Sequence, residues 1–315
     1  MIGLPSPQQL RYLTALAESH HFGRAALACS VTQSTLSAGI LALERQLDAA
    51  ILDRSVGKHV VFTPLGLEVV ARAGTALAAL EAVAEAAQAA RAPLSGPLRL
   101  GVIPTIGPFL LPRLMPVLRD AFPRLRLYLR EDTTARLVER LETNRLDVLL
   151  VALPCDCGSA DASPMARDEF LVALPAGHRL AVQERIPVAA LAGERLLLLE
   201  DGHCLRDQAL AVCGLLAGDR EGQDAFAATS LHTLVQMVAG GLGVTLLPRL
   251  AIAAGVMAGT DIELRPVAGA GAWRTIGLAW RPNSPRASDY RALVPLLVEI
   301  CREVLPSPAA VPGAK

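Results

Sequence analysis

Cys204 and Cys213 are the residues of this sequence whose types and spacing best suit chemistry. His203 precedes Cys204, Arg206 follows it by two positions, and a helix is predicted to begin near Leu205. Neighbouring cations and the N-terminus of a helix favour the thiolate, which is the nucleophilic form of cysteine. The segment therefore predicts a reactive thiol at Cys204.

Two features of the same segment leave a second interpretation open. Asp207 can oppose the thiolate or orient the cations around it. The run 210–213 is apolar, and a cysteine beside such a run is often an inert core residue. The residues alone therefore leave a sensor and a core position as alternatives.

The other cysteines predict less chemistry. Cys155 and Cys157 flank Asp156, which suggests a soft-metal site, but no His or second Cys pair lies at ligand spacing, so a surface loop is favoured. Cys29 and Cys301 lie on apolar helix faces and are predicted core residues. We expect neither a metal nor a cofactor, and any disulfide in such a chain is expected to be catalytic or regulatory.

Composition limits the class of protein. The 315 residues are 52% hydrophobic, enough for two or three domains with real cores. No apolar run approaches the ~18 residues of a membrane span, and the N-terminus lacks signal-peptide features, so we expect a cytoplasmic protein without a membrane partner. Lys plus Arg and Asp plus Glu number 30 each, which argues against a strongly basic nucleic-acid coat.

The first sixty residues predict a cluster of short helices. Helices are expected at 22–28 and 33–47, joined by the turn 29–31, with Thr32 as the N-cap of the second. This is the spacing of a helix-turn-helix. The segment 54–62 then suggests a wing.

A long Ala-rich helix is predicted from Pro64 to about Ala92, and the segment 93–97 is the clearest linker. A helix of this length without a partner in the chain is expected to pair with a second copy of itself. The alternative is a linker helix that packs on its own domain.

Beyond residue 97 strands alternate with helices, which predicts an α/β fold with a largely parallel sheet and two small sheets that face a cleft. Helices are expected at 108–122 and 135–144. The predicted strands are 98–103, 124–130, 148–153, 170–174, 196–199, 243–247 and 275–280.

The N-terminal pattern resembles the helix-turn-helix of LysR-type transcriptional regulators. The matching positions are Phe22, Ala25, Ala26, Val31, Thr32, Gln33, Ser34, Thr35, Leu36, Ser37, Ile40, Leu43, Glu44 and Leu47. The regulatory half is similar to the peroxide-sensing members of that family at 101–108, 200–208, 227–231, 274–278 and 281–282. The resemblance covers the whole chain.

This resemblance implies an architecture. Residues 1–62 would form a winged helix-turn-helix, 63–93 a dimerisation helix and hinge, and 307–315 a flexible tail. Residues 94–306 would form a regulatory domain of two α/β subdomains like those of periplasmic binding proteins, at about 94–166 with 269–306 and about 167–268. The implied partners are promoter DNA, further copies in a homodimer or homotetramer, and RNA polymerase, with hydrogen peroxide as the signal.

The resemblance also implies residue roles. Cys204 would react with peroxide and Cys213 would resolve the product to a disulfide, in a pocket lined by Thr105, Thr134, His203, Asp207 and Arg274. Each threonine has an alternative, because Thr105 could cap a helix near Pro108 and Thr134 could be the N-cap before Ala135. DNA contacts would come from Thr32, Gln33, Ser34, Thr35 and Ser37, with Arg54 and Lys58 on the wing.

Spacing adds a mechanical expectation. Nine helical residues separate two α-carbons by roughly 13 Å, whereas a disulfide needs them within about 7 Å. Disulfide formation between Cys204 and Cys213 would therefore require the intervening helix to unwind.

The DNA-binding segment departs from the family pattern. Gly39 stands where Gln or Arg is common, and Asp48 stands where Gly usually closes the helix. Residues 1–62 hold five Lys plus Arg and four Asp plus Glu, a net charge of +1, so affinity would need several modules on one site. Two alternatives stay open: a LysR-type regulator with a small-molecule effector in its cleft, and a thiol peroxidase.

Overall fold

The computed structural model describes residues 3–53, 60–89, 94–214, 227–269 and 271–305. The chain divides into two compact units, residues 1–87 and 88–315. The first unit is helical and the second is mixed α/β, which confirms the predicted fold class.

The helices of the first unit begin where their capping residues stand. Ser6 and Gln9 form a capping box at the first helix, and the Thr32 hydroxyl accepts a hydrogen bond from the Thr35 N–H at the third. His21 caps the second helix through its ring nitrogen. The helices are Pro7–Ser19 (α1), Phe22–Ala28 (α2), Gln33–Leu47 (α3) and Pro64–Ala89 (α4).

The predicted helix-turn-helix is confirmed. The chain bends by 99° between α2 and α3, and the two helices pack on α1 around an apolar centre. Leu13, Leu16, Leu36, Ile40 and Leu43 are fully buried there. The three-to-four spacing of Leu36, Ile40 and Leu43 places one face of α3 inside, so the opposite face is exposed.

Helix α4 follows Thr63 with proline at its first position, as predicted, and runs for 26 residues. Ala73 and Ala78 are buried, whereas Leu65, Leu67 and Val83 are exposed. The exposed leucines and valine agree with the prediction that this helix pairs with a second copy, which stays a prediction.

The second unit contains strands joined largely by helices. The strands are Gly96–Val102 (β1), Leu125–Glu131 (β2), Val148–Leu153 (β3), Asp161–Leu174 (β4), Ile186–Pro187 (β5), Thr245–Pro248 (β6), Glu263–Ala268 (β7) and Trp273–Trp280 (β8). The helices are Gly107–Ala121 (α5), Thr134–Glu142 (α6), Val188–Leu191 (α7), Cys204–Val212 (α8), Leu231–Ala239 (α9), Arg249–Ala253 (α10) and Ala287–Val304 (α11), with a 3₁₀ turn at Arg179–Val182.

The strand order is β2-β1-β3-β8-β4-β7-β5, and β6 pairs with β4. Residues 161–169 of β4 pair with β8, and residues 170–174 pair with β6 and β7. One long strand therefore belongs to both α/β halves of the unit, in place of the short predicted strand 170–174.

Two sequence predictions about the strands are wrong, and the strands β5 and β7 were missed. The sheet is mixed, because only β1, β2 and β3 and the short β5–β7 pair run parallel, while β4 and β8 pair antiparallel to their neighbours. Residues 196–199 make only isolated bridges, from Leu196 to Val244 and from Leu199 to Ala228. Strand β7 was not predicted, because Pro266 and its charged neighbours interrupt the apolar alternation.

Candidate redox site and candidate DNA-binding surface

Cys204 is the first residue of helix α8, and Cys213 is its C-cap residue. His203 occupies the N-cap position without a side-chain capping bond, so backbone N–H groups of the first turn lie next to the Cys204 thiol. Cys204 is half-buried and Cys213 is buried, and both carry thiols in this structure. The reduced pair therefore stands at opposite ends of one intact helix.

The Arg274 side chain is held in one position by several hydrogen bonds. Its guanidinium is fully buried and donates from Nε to Asp168 Oδ2 at 2.9 Å, from Nη1 to Thr105 Oγ1 at 2.8 Å and from Nη2 to the Thr105 carbonyl at 2.9 Å. Asp168 and Arg274 are paired positions of β4 and β8, and Asp168 Oδ1 also accepts from the Leu250 N–H. Strand β4 and the segment before α5 thus hold the guanidinium that strand β8 carries.

The pKa of the Cys204 thiol is raised above its ordinary value. Burial raises it most, Arg274 and the neighbouring Thr134 hydroxyl lower it, and Asp207 raises it. The prediction that the surroundings favour the thiolate is therefore wrong in its net direction. The residue that does favour the thiolate most is Arg274, 70 positions away, and not a neighbour in sequence.

The two cations predicted to act on Cys204 do not do so. Burial lowers the pKa of His203, against an opposing effect of Glu200, so its imidazole is neutral near neutral pH. Arg206 Nε pairs with Asp201 Oδ1 at 2.8 Å, and its Nη1 donates to the Leu199 carbonyl. Arg206 therefore holds the loop before α8, and it is not among the residues that shift the pKa of the Cys204 thiol.

Both alternatives for the threonines are wrong. Helix α5 has Ile106 at its N-cap without a side-chain bond, and Thr105 instead accepts from Arg274. Thr133 occupies the N-cap position of α6, and Thr134 is the first helical residue. The Thr134 hydroxyl oxygen is buried without a hydrogen-bond partner among the described residues, and the hydroxyl lowers the pKa of the neighbouring Cys204 thiol.

The structure thus brings Arg274, Thr134 and Asp207 around Cys204, with Thr105 fixed on Arg274. Asp207 is exposed and His203 is half-buried beside the sulfur-bearing residue. The sequence interpretation missed Asp168, which lies in the charged segment Arg167-Asp168-Glu169 just before the predicted strand 170–174 and gives no local signal of burial. It also missed Gln208, whose Oε1 is buried without a hydrogen bond to any described residue.

The predicted DNA-reading residues form one exposed face at the start of α3. Thr32, Gln33, Ser34, Thr35 and Ser37 are all exposed. The Thr32 hydroxyl lies 2.9 Å from that of Ser34 and 2.8 Å from that of Thr35, so the polar groups are held together. The predicted contacts Arg54 and Lys58 lie outside the described residues.

Both departures from the family pattern have structural reasons. A Cβ built on Gly39 would lie 2.5 Å from the Tyr12 ring, and Tyr12 is buried between α1 and α3. Asp48 closes α3 in the left-handed conformation, with φ of 49°, which Asp tolerates better than most residues. Gly39 is therefore fixed by packing of this particular tyrosine.

Both units of the chain match models of known protein families. Residues 7–67 match the model of the bacterial regulatory helix-turn-helix protein, lysR family, and residues 91–302 match the LysR substrate binding domain. The chain belongs to the LysR family. Its regulatory unit is thus the family's substrate-binding domain with a cysteine-bearing helix.

Similar LysR proteins include characterised regulators. The DNA-binding transcriptional dual regulator OxyR of Escherichia coli K12 is 43% identical over 91% of this chain and 92% of its own. A full-length OxyR cysteine-to-aspartate variant from Pseudomonas aeruginosa has a TM-score of 0.74 and 36% identity, with 95% of each chain covered. An H2O2-bound cysteine-to-serine variant of Corynebacterium glutamicum OxyR has a TM-score of 0.64 and 32% identity, over 96% of this chain and 95% of its own.

Two other expectations concern this LysR protein. Within the described ranges, no group of three or more His, Cys, Asp or Glu side chains is placed to hold a metal ion. Across those ranges, no single helix is long and apolar enough to cross a membrane, and α2 with α3 passes by length and composition only as a bent pair.

Proposed function

We propose that this LysR-family protein is a DNA-binding transcriptional regulator that senses hydrogen peroxide by oxidation of Cys204 and formation of a disulfide with Cys213. The observation that carries the proposal is a half-buried thiol at the start of α8, beside a fully buried guanidinium, with a second thiol at the other end of the same helix. Its relatives named as OxyR and hydrogen peroxide-inducible genes activators support it.

The first chemical step is attack of the Cys204 thiolate on one peroxide oxygen. The S–O bond forms as the O–O bond breaks, and the departing hydroxide takes a proton to become water, leaving a sulfenic acid. The departing oxygen gains negative charge in this step and needs donors fixed in advance.

Thr105 and Thr134 are the proposed donors. Thr105 Oγ1 already accepts from Arg274, so its own hydrogen is available to donate. Thr134 has a buried hydroxyl beside Cys204 and no other acceptor among the described residues. We assign Arg274 to polarising Thr105 and stabilising the thiolate, Asp207 to adjusting the thiol pKa, and His203 to lining the pocket as a neutral ring.

The second step joins the two thiols. Sγ of Cys213 attacks Sγ of the Cys204 sulfenic acid, the S–O bond breaks, and water leaves with the thiol proton. Because about 13 Å of helix rise separates the two α-carbons, α8 must unwind before the bond can form. That refolding is the two-state element that would change the arrangement of copies on DNA.

The exposed face at the start of α3 is proposed to read promoter DNA in the major groove, through Thr32, Gln33, Ser34, Thr35 and Ser37. Arg54 and Lys58 are proposed to hold phosphates. A homodimer or homotetramer supplies the several modules that a unit of net charge +1 needs, and RNA polymerase is the proposed downstream partner. We propose that the protein is a regulator and not an enzyme.

The test is a peroxide titration of the reduced, full-length protein with thiol mapping by mass spectrometry. At sub-stoichiometric peroxide we expect a Cys204–Cys213 disulfide before any other thiol is modified. Cys204→Ser should keep operator binding and lose the peroxide response, and Cys301→Ser is the matched control at a buried thiol. If another thiol reacts first, or if Cys204→Ser still responds, the proposal is wrong.

A further inference from the structure

A second pair of sulfurs lies in the loop that follows β3. Cys155 and Cys157 are joined by a disulfide, with a Cα–Cα separation of 5.2 Å, inside the ordinary range for this bond. The loop is anchored at both ends, because β3 is a buried strand and the Ala160 N–H donates to the Cys157 carbonyl in a turn before β4. The sequence prediction of a plain surface loop is therefore incomplete.

This disulfide is a weaker brace for the fold than a disulfide that closes a long loop. The stabilisation from a cross-link grows with the length of chain that it closes. Here the sequence separation is 2, so the bond joins residues that the backbone already holds together. The pair is better suited to chemistry than to stability.

The two sulfurs differ in access. Cys155 is half-buried, whereas Cys157 is 8% exposed and packs in the core of the regulatory unit. Asp156 and Gly158 around them are exposed, so small molecules can reach the loop. A nucleophile from solvent therefore meets Cys155 first, and Cys157 is the sulfur that is released.

We infer that Cys155 and Cys157 form a second thiol–disulfide exchange site, separate from Cys204 and Cys213, that takes low-molecular-weight thiols and disulfides of the glutathione class. Disulfides that solvent can reach are typically the labile ones, and this one is reached through the half-buried Cys155. The inference goes beyond the proposed function and does not rest on it.

The exchange balances in two steps. The thiolate of one small thiol attacks Sγ of Cys155, the Cys155–Cys157 bond breaks, and Cys157 takes the electron pair and then a proton. A second small thiolate attacks the small-molecule sulfur of the mixed disulfide and releases the Cys155 thiolate, which is protonated. Two small thiols become one small disulfide as the protein gains two electrons and two protons, and excess small disulfide drives the reverse.

The position of the loop decides how the test is designed. Pro154, which precedes Cys155, lines a cleft of about 360 Å³ together with Gln208, Ala211 and Val212 of α8. The proposed peroxide helix is therefore a neighbour of this loop. A full-length Cys204→Ser, Cys213→Ser protein removes those thiols so that only the second pair is measured.

That protein is equilibrated in mixtures of reduced and oxidised glutathione, quenched, alkylated and digested with trypsin. Residues 146–167 form one tryptic peptide that contains Cys155 and Cys157 and no other cysteine. We expect its disulfide fraction to follow a two-electron curve that reverses when the ratio is reversed. Two thiols at every ratio, or an intact disulfide in excess reduced glutathione, would overturn the inference.

Single variants test the direction of attack. Cys157→Ser should form a mixed disulfide with glutathione at Cys155 at least tenfold faster than Cys155→Ser forms one at Cys157, while buried Cys301 stays unmodified. Equal rates at both positions would contradict the assignment of Cys155 as the attacked sulfur. The double Cys155→Ser, Cys157→Ser variant should keep the parent melting temperature under oxidising conditions, and a fall of several degrees would show a structural brace instead.

Discussion

At the scale of single residues, the groups around Cys204 shift the pKa of its thiol in opposite directions. Burial and Asp207 raise its pKa, while Arg274 and Thr134 lower it. A protonated resting thiol reacts slowly with general oxidants, because the thiolate is the nucleophile. Selectivity for peroxide would then come from Thr105 and Thr134, which assist the departing oxygen, and not from an unusually acidic thiol.

Replacing Asp207 with Asn should make the Cys204 thiol more acidic. Asp207 raises the pKa of that thiol and is itself exposed, so the change removes a charge with little effect on packing. We expect the pH midpoint of Cys204 alkylation, measured by mass spectrometry, to fall, and peroxide oxidation at neutral pH to become faster.

Two further variants serve as controls for this measurement. Asp201→Asn removes an equal charge from the same segment, but Asp201 pairs with Arg206, so the midpoint should stay in place. Thr134→Val removes a hydroxyl that lowers the thiol pKa, so the midpoint should rise. A midpoint that stays fixed or rises in Asp207→Asn would refute the assigned role of Asp207.

At the scale of elements, helix α8 is both the spacer between two thiols and the barrier to joining them. Ala211 is an exposed interior position of α8, and Ala211→Gly costs a helix about 1 kcal/mol. That cost favours unwinding by roughly fivefold. We expect disulfide formation to become about fivefold faster in stopped-flow measurements, while sulfenic acid formation keeps its rate. A change confined to the first phase would exclude unwinding as the barrier.

The packing of α3 on α1 makes a second element prediction. In Gly39→Ala the new Cβ meets the buried Tyr12 ring at 2.5 Å, and such overpacking costs about 1–3 kcal/mol. We expect a lower melting temperature and weaker operator binding, both restored by adding Tyr12→Leu. Gly74→Ala in α4 is the matched control, because its Cβ meets nothing within 4 Å and the helix should gain stability.

Local pattern predicted these elements well and their pairing poorly. The apolar spacing of Leu36, Ile40 and Leu43 and the cap at Thr32 are local signals, so α3 was predicted with its observed bounds. The pairing of Asp168 with Arg274 joins positions 106 apart, and no local signal encodes it. Likewise, local spacing pointed to Arg206 as the cation that acts on Cys204, and only the family resemblance pointed to Arg274, because sequence proximity on a helix does not set the direction of a side chain.

At the scale of the whole molecule, buried ionisable groups set an alkaline limit. Burial raises the pKa of Cys301 from 9.0 to about 12, and burial with the Asp147 charge raises that of Tyr290 from 10.0 to about 12. At a pH between its ordinary pKa and about 12, each of these groups is deprotonated in the unfolded chain but still protonated in the folded protein. The free energy of unfolding therefore has its full value below pH 9. It falls as the pH rises above 9, by up to about 1.4 kcal/mol per pH unit for each group.

Urea unfolding at successive pH values from 8 to 11 measures this fall. Tyr290→Phe keeps the ring and removes one titrating group, so its loss of stability should begin at the same pH but follow a shallower slope above pH 10. Cys301→Ala should remove the part that begins near pH 9. A stability that stays level to pH 11 in the parent protein would contradict both pKa directions.

The long strand β4 has a consequence for how the regulatory unit can be divided. Residues 161–169 belong to one sheet and residues 170–174 to the other, and the chain returns to the first sheet only at Trp273. The two halves are therefore not modules that a linker joins, and a fragment cut between them would leave β3 without β8. No position between the two halves can accept a cut or a domain insertion without breaking a sheet. Both halves must therefore be encoded and expressed as one piece.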